Sequence, residues 1–137
     1  MNVQPYLFFN GQTEQALDFY KKAVGAKVSM LMHFRDAPDQ SNCTADMKDL
    51  VMHTTFTIGD TAIMASDGMG KSKPNFDGFS LTINVKDEAE AEKTFKALAD
   101  GGSVAQPLIE TFFAKRWGML KDKFGVHWMV IASKPMN

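Results

Sequence analysis

The chain has 137 residues, 45% of them hydrophobic and 23% charged, and its net charge is −1. This length suffices to bury a core without a metal or a disulfide, and the near-neutral charge argues against a nucleic-acid partner. No apolar run approaches the roughly 20 residues that a membrane helix needs, and residues 1–5 do not resemble a signal peptide. The single cysteine, Cys43, suits a reducing compartment. We therefore predict a cytoplasmic globular protein without a membrane partner.

The first half of the chain predicts the order strand, helix and three strands. An apolar strand at residues 3–9 leads into a helix that begins near Gln12 and ends at Gly25, a residue that readily adopts the left-handed conformation found after helix ends. Apolar residues recur on one stripe of this helix, namely Ala16, Leu17, Tyr20, Ala23 and Val24. Three runs that alternate as strands do follow, at residues 27–35, 51–58 and 61–66.

The second half predicts the same order. A strand at residues 79–85 is followed by a helix that opens at Asp87, with a capping-box spacing to Glu90, and closes at Gly101. Three more strands are predicted at residues 104–112, 116–122 and 126–132. We therefore predict an α+β fold in which two βαβββ modules, residues 1–68 and 77–137, form a single domain. One module alone would leave a sheet face wet, so we expect the two sheets to curl around a cavity.

Two short patterns resemble chemical motifs but have simpler explanations. Residues 65–72 fit a loose phosphate-binding loop, yet Pro74 and the strand that follows leave no room for the helix that such a loop requires. Cys43 lies in a polar loop without a histidine at a recognised spacing, which favours an inert thiol over a nucleophile.

His53 is the histidine with the clearest functional potential. Strand alternation places Met52 and Phe56 toward the helix and leaves His53, Thr55 and Thr57 on the opposite face. If that face lines a cavity, His53 offers a polar group to a ligand. The alternative is a structural histidine whose hydrogen bonds are satisfied within the fold.

Two further groups of residues have both a functional and a structural explanation. Acidic, basic and aromatic residues occur together between Glu110 and Trp117, where they could clamp an anionic, partly apolar molecule. A hairpin whose aromatic residues pack on the core explains them equally well. Asp67 ends a strand at a loop, where it either contacts a ligand or caps a turn.

The doubled order, together with residues 17–21 before Gly25, resembles the vicinal oxygen chelate superfamily, which includes glyoxalase I, fosfomycin-resistance enzymes, bleomycin-resistance proteins and extradiol dioxygenases. Within it the chain resembles the PhnB-like branch, often labelled demethylubiquinone methyltransferase-like. The residues that support this resemblance span nearly the whole chain, at 5–7, 63–67, 78–81, 110–112, 117–118 and 122–129. The resemblance implies two βαβββ modules around a shared cavity, commonly in a homodimer.

The same resemblance implies where a metal ion would bind in relatives that use one, through a histidine on the first strand and a glutamate on the fourth strand of the two modules. Here those positions fall on Pro5, Met64, Ser80 and Met129. These side chains are poor ligands for a divalent cation, so we predict no metal and no cofactor. A Rossmann-type methyltransferase would need a glycine-rich turn after its first strand, whereas this strand leads into residues 10–12, Asn-Gly-Gln.

Two hypotheses for function follow. In the first, the protein is a metal-free cup that binds a small, partly aromatic or amphipathic molecule. Its predicted ligand-binding residues are Leu7, Phe9, Met64, Asp67, Ser80, Thr82, Trp117 and Met129, together with His53. In the second, it is an enzyme in which His53 acts as a general base, with Glu110 or Asp67 as its acidic partner, because histidine can exchange a proton near neutral pH.

Overall fold

The computed structural model describes residues 1–41, 43–68 and 73–135. The chain divides into two compact units, Met1–Asn75 and Phe76–Asn137, which we call module 1 and module 2. Within the described residues, each module contains one α-helix and a four-stranded mixed sheet, which confirms the predicted α+β class. No helix in these residues is long and apolar enough to cross a membrane.

Module 1 follows the predicted βαβββ order. Its elements are β1 (Tyr6–Phe8), α1 (Thr13–Val24), β2 (Lys27–His33), a short 3-10 helix (Phe34–Asp36), β3 (Val51–Ile58) and β4 (Thr61–Ser66). The strands lie in the order β1-β4-β3-β2, with β1 parallel to β4 and the other pairs antiparallel. The first strand is therefore shorter than the predicted range of 3–9.

Module 2 repeats this arrangement. Its elements are β5 (Leu81–Val85), α2 (Glu88–Ala99), β6 (Ser103–Ile109), β7 (Ala114–Lys121) and β8 (His127–Ser133). The strand order β5-β8-β7-β6, with β5 parallel to β8, matches that of module 1 element by element.

Both helices begin and end where the sequence predicts. Helix α1 ends at Gly25, whose φ of 68° is left-handed, and helix α2 is capped by Asp87, whose carboxylate accepts a hydrogen bond from the Glu90 backbone N–H at 2.8 Å. Helix α2 gives way at residue 100 to a turn through Gly101, at φ 78°. Helix α1 begins at Thr13, next to the predicted Gln12, and Gln12 makes no side-chain cap.

Each helix covers one face of its own sheet. In module 1 the rings of Tyr20 on α1 and Phe56 on β3 stack 6.1 Å apart, and both residues are fully buried. In module 2 Phe95 on α2 lies over Gly118 on β7, where there is no room for a side chain. Because side chains alternate across a strand, the neighbours of Phe56 and Gly118 in sequence lie on the opposite face of each sheet.

Candidate functional site

The sheet face of module 1 opposite α1 carries aromatic, thioether and hydroxyl side chains. The strand register places Tyr6 beside Met64, Met64 beside Thr55, and Thr55 beside Met30. Phe8 is 52% exposed and Met30 41% exposed, so apolar surface remains accessible here. We define the module 1 face by its members, Tyr6, Phe8, Met30, His53, Thr55 and Met64.

A chain of polar contacts runs through His53 on this face. The Tyr6 hydroxyl lies 3.0 Å from Nδ1 of His53, and the Thr55 hydroxyl lies 3.3 Å from Nε2. The Tyr6 ring is also close to the rings of His53 and Phe8, at 5.5 and 4.9 Å between centroids. Both ring nitrogens of His53 thus have a hydroxyl partner, and the predicted orientation of its strand is correct.

The structure changes the role of Leu7 and Phe9, which were predicted to contact a ligand. They are 1% and 0% exposed, and the Phe9 ring lies 6.3 Å from that of Tyr20. They therefore belong to the core beneath α1, because a one-residue shift along a strand moves a side chain to the other face. Tyr6 and Phe8, which the sequence did not single out, lie on the module 1 face instead. The motif at residues 5–7 was the available signal for Tyr6.

The carboxylate of Asp67 accepts hydrogen bonds from residues of module 1 itself. One oxygen accepts hydrogen bonds from the backbone N–H groups of Gly11 and Thr13, at 2.8 and 3.0 Å, and from the Thr13 hydroxyl at 2.5 Å. The other accepts the Val51 N–H at 2.8 Å. Asp67 is only 3% exposed and does not contact His53. This corrects its predicted role as a ligand contact or acidic partner and favours the capping alternative.

Four predicted residues of module 2 lie on or beside the face opposite α2. Thr82 pairs with Met129 across β5 and β8, and Trp117 pairs with Ile131 across β7 and β8. Ser80 precedes β5 and is half-buried. Contact of these four side chains with a ligand remains a proposal.

The acidic and basic groups near Trp117 form internal ion pairs. The carboxylate of Glu110 contacts Lys134 Nζ at 2.8 Å, and this hydrogen bond holds the pKa of Glu110 below its ordinary value. Arg116 bridges to Glu88 and Glu92 of α2, at 3.4 Å each. Glu110 is thus an ionised carboxylate already paired with Lys134, and its role as the acidic partner of a catalytic base stays a prediction. The Arg116 charge is also compensated, which weakens the predicted anion clamp.

The remaining candidates have local partners. His33 contacts Glu14 at 2.8 Å, and His127 contacts Asp77 at 3.0 Å. The His127 contact lowers the pKa of Asp77. Cys43 is a half-buried free thiol. Of the loop that resembles a phosphate-binding pattern, residues 69–72 lie outside the described residues.

The donor set does not fit the divalent metal that the resemblance implies for some relatives. Strand register places Tyr6 opposite Met64, and Thr82 opposite Met129. Pro5 precedes β1 and contributes only its carbonyl, which accepts from the Met64 N–H at 3.0 Å. Phenol, hydroxyl and thioether groups are weak ligands for such ions. Across the described chain, no three His, Cys, Asp or Glu residues are grouped to hold a metal.

Comparison with known proteins identifies the family. The family model described as 3-demethylubiquinone-9 3-methyltransferase matches residues 1–131. Protein YjdN of Escherichia coli (strain K12) is 31% identical over 138 residues, covering 95% of this chain and 94% of YjdN. Protein PA1353 from Pseudomonas aeruginosa is 39% identical, with a TM-score of 0.86 over 98% of this chain and 99% of that one. A putative 3-demethylubiquinone-9 3-methyltransferase, PhnB protein, from Bacillus cereus is 25% identical, with a TM-score of 0.79 over 96% and 99%.

More distant structures agree in fold. A glyoxalase-related enzyme from Fulvimarina pelagi and the fosfomycin resistance protein FosX from Mesorhizobium loti each have a TM-score of 0.64, at 15% and 9% identity. They cover 96% and 98% of this chain, and 88% and 92% of the chains compared. The chain therefore belongs to the 3-demethylubiquinone-9 3-methyltransferase family, the PhnB-like branch with the glyoxalase-like fold that the sequence motifs indicated.

Proposed function

We propose that the protein binds a small, partly aromatic organic molecule on the module 1 face, without a metal ion, in the reducing cytoplasm. The observation that carries this proposal is the combination of accessible apolar side chains, Phe8 and Met30, with the hydrogen-bonded pair of Tyr6 and His53. Small-molecule sites typically join an apolar lining to a few polar groups that fix orientation.

The chemistry of the lining supports a ligand with an apolar frame. Met30 and Met64 are neighbours of Thr55 in the sheet, and unbranched thioether side chains adapt to ligands of irregular shape.

The sheet topology favours binding over the methyl transfer in the family's name. Each four-stranded sheet has one parallel strand pair and two antiparallel pairs. A Rossmann-type methyltransferase would hold its cofactor at the carboxyl edge of a largely parallel, doubly wound sheet. The turn after β1 passes through Asn10 and Gly11, both at positive φ, and the Gly11 N–H donates to the buried carboxylate of Asp67 rather than facing a cofactor site.

Binding can be tested by NMR on protein labelled with ¹³C at the methionine methyl groups, with 2-naphthol as the probe. We expect the Met64 and Met30 signals to shift while that of Met47, which is buried in module 1, stays in place. Replacing Phe8 by alanine should weaken binding about tenfold, because this residue is 52% exposed and a ligand can add only about half of the roughly 1.5–3 kcal/mol that full burial is worth. Val3→Ala, which also removes an exposed apolar side chain, should leave the affinity unchanged.

Metal dependence is tested in the same experiment by dialysis against a chelator, which we expect to change none of these shifts. An unmoved Met64 signal at millimolar 2-naphthol would contradict the proposed site. Loss of binding after dialysis, restored by a divalent ion, would contradict its metal-free character.

We also propose that the protein is a homodimer. The sheet orders leave β2 and β6 at edges of their sheets, and unpaired strand edges are usually covered or paired. Val104 and Ile109 on β6 are 48% and 42% exposed, so a second copy would also cover apolar side chains here. Light scattering after size-exclusion chromatography should give twice the mass of the 137-residue chain at micromolar concentration, and a monomeric mass would overturn the proposal.

A further inference from the structure

We propose that the ligand of the module 1 face carries a hydroxyl group, and that this group donates a hydrogen bond to the Tyr6 phenol oxygen. His53 is then a positioning residue that acts through Tyr6. This inference rests on the proposed function, and it names the ligand class: phenols and aromatic alcohols.

The first step of the argument is that His53 is shielded from direct contact. Its Nδ1 is occupied by Tyr6 and its Nε2 by Thr55. These are the two polar atoms of an imidazole, so a ligand approaches His53 through one of its hydroxyl partners. A proton that His53 takes from a ligand must likewise pass through a hydroxyl. We therefore infer that Tyr6 is the residue that contacts the ligand, and that His53 does not act on the ligand directly as a general base.

The second step concerns the direction of the hydrogen bonds. A phenol is a stronger donor than the N–H of neutral imidazole, so the favoured arrangement has the Tyr6 hydroxyl donating to Nδ1 of His53. The ring proton then lies on Nε2 and is donated to Thr55. Such a chain is cooperative, because each bond polarises the next. It also makes the Tyr6 oxygen a better acceptor.

The third step follows from counting the atoms of Tyr6. Its one hydroxyl hydrogen is committed to His53, while lone pairs on its oxygen remain available. A ligand satisfies this oxygen by donating to it. Phe8 lies 4.9 Å from the Tyr6 ring, and Met64 is adjacent in the sheet, so the donor is expected on an apolar, ring-containing frame.

Three probes of the same ring size distinguish the possibilities: 2-naphthol has a hydroxyl donor, 2-methoxynaphthalene lacks it, and 2-naphthoate offers only acceptor oxygens. We expect 2-naphthol to bind about threefold to tenfold more tightly than 2-methoxynaphthalene, the usual effect of one hydrogen bond. Tyr6→Phe should abolish this preference while leaving the affinity for 2-methoxynaphthalene unchanged.

The positioning role of His53 has its own readout in tyrosine labelled with ¹³C at Cζ. The chain has two tyrosines, and Tyr20 is buried beneath the sheet of module 1. In His53→Ala we expect the Tyr6 signal to move and the Tyr20 signal to remain, with the preference for 2-naphthol reduced. Nitrogen NMR of His53 should show the proton on Nε2, both free and with 2-naphthol bound.

The outcomes separate this inference from the proposed function. Equal binding of 2-naphthol and 2-methoxynaphthalene, with the Met64 methyl signal shifted by both, overturns the hydroxyl inference and leaves the binding proposal standing. Tighter binding of 2-naphthoate, or a His53 proton on Nδ1, overturns the assigned direction of the hydrogen bond between Tyr6 and His53. The Tyr6 hydroxyl would then donate to the ligand instead of accepting from it. Failure of all three probes to shift the Met64 signal counts against both.

Discussion

Replacing Asp67 by asparagine is expected to lower the free energy of unfolding of module 1 by about 3–5 kcal/mol, because a buried donor left without its acceptor costs about 1–3 kcal/mol and several are affected. The carboxylate accepts from three backbone N–H groups and the Thr13 hydroxyl. An asparagine keeps one acceptor oxygen and directs an N–H₂ group at donors that already point toward it. Either orientation of the amide leaves at least one buried N–H unsatisfied.

The measurement is chemical denaturation, combined with amide hydrogen exchange at Gly11, Thr13 and Val51. Protection at these three positions should fall more than elsewhere in module 1. Asp60→Asn serves as the matched substitution, because Asp60 is an exposed carboxylate in the turn between β3 and β4; it should change stability by less than about 0.5 kcal/mol. If the two substitutions changed the free energy of unfolding equally, the hydrogen bonds of Asp67 would not stabilise module 1.

Asp67 also explains how α1 begins without a local cap. Its oxygen accepts the N–H of Thr13, the first residue of the helix, across 54 positions of sequence. A negative charge at this end also interacts favourably with the helix dipole. The sequence contained a local signal for the cap of α2, where Asp87 and Glu90 are three residues apart. It contained none for a helix cap supplied by Asp67, the residue after β4, because that contact depends on the folded chain.

The sequence predicted which side chains of β3 face the helix, but it did not do so for β1. On β3, polar and apolar residues alternate, and the predicted orientation of His53 is the one observed. On β1, the apolar run from Tyr6 to Phe9 has no alternation, so its pattern did not determine which side chains face α1. The pairing of β1 with β4 settles it, because Tyr6 lies beside Met64 and Leu7 beside Ala65.

The positions of the charged residues near Trp117 were clear from the sequence, but their ion-pair partners were not. Glu110 and Arg116 are near each other in sequence, which suggested a joint role. In the structure Glu110 pairs with Lys134 and Arg116 with two glutamates of α2. Long side chains choose among several partners within reach, and that choice is made by tertiary structure. The order of the elements along the chain, by contrast, followed from hydrophobic periodicity and turn residues.

A second large effect is expected in module 2, where Gly102→Ala should lower the free energy of unfolding by about 3 kcal/mol, at the upper end for overpacked sites. A β-carbon at Gly102 would lie 2.1 Å from the backbone carbonyl oxygen of Lys121 and 2.9 Å from backbone atoms of Asp122. These are backbone atoms, so no side chain can rotate away to relieve the overlap. Strand β6 approaches the end of β7 this closely only because residue 102 has no side chain.

The neighbouring turn is held too firmly to retreat from that β-carbon. The buried Asp122 carboxylate accepts hydrogen bonds from the backbone N–H of Val126 at 3.1 Å and from the indole N–H of Trp128 at 2.8 Å. We therefore expect β6 to be displaced, with the amide signals of Ser103 and Lys121, which face each other, shifting most. Ser103→Ala, a substitution of an exposed residue beside Gly102, should be nearly neutral. If Gly102→Ala were equally neutral in denaturation, the end of β7 would have to move away from the new β-carbon. The hydrogen bonds of Asp122 would then not fix the turn between β7 and β8.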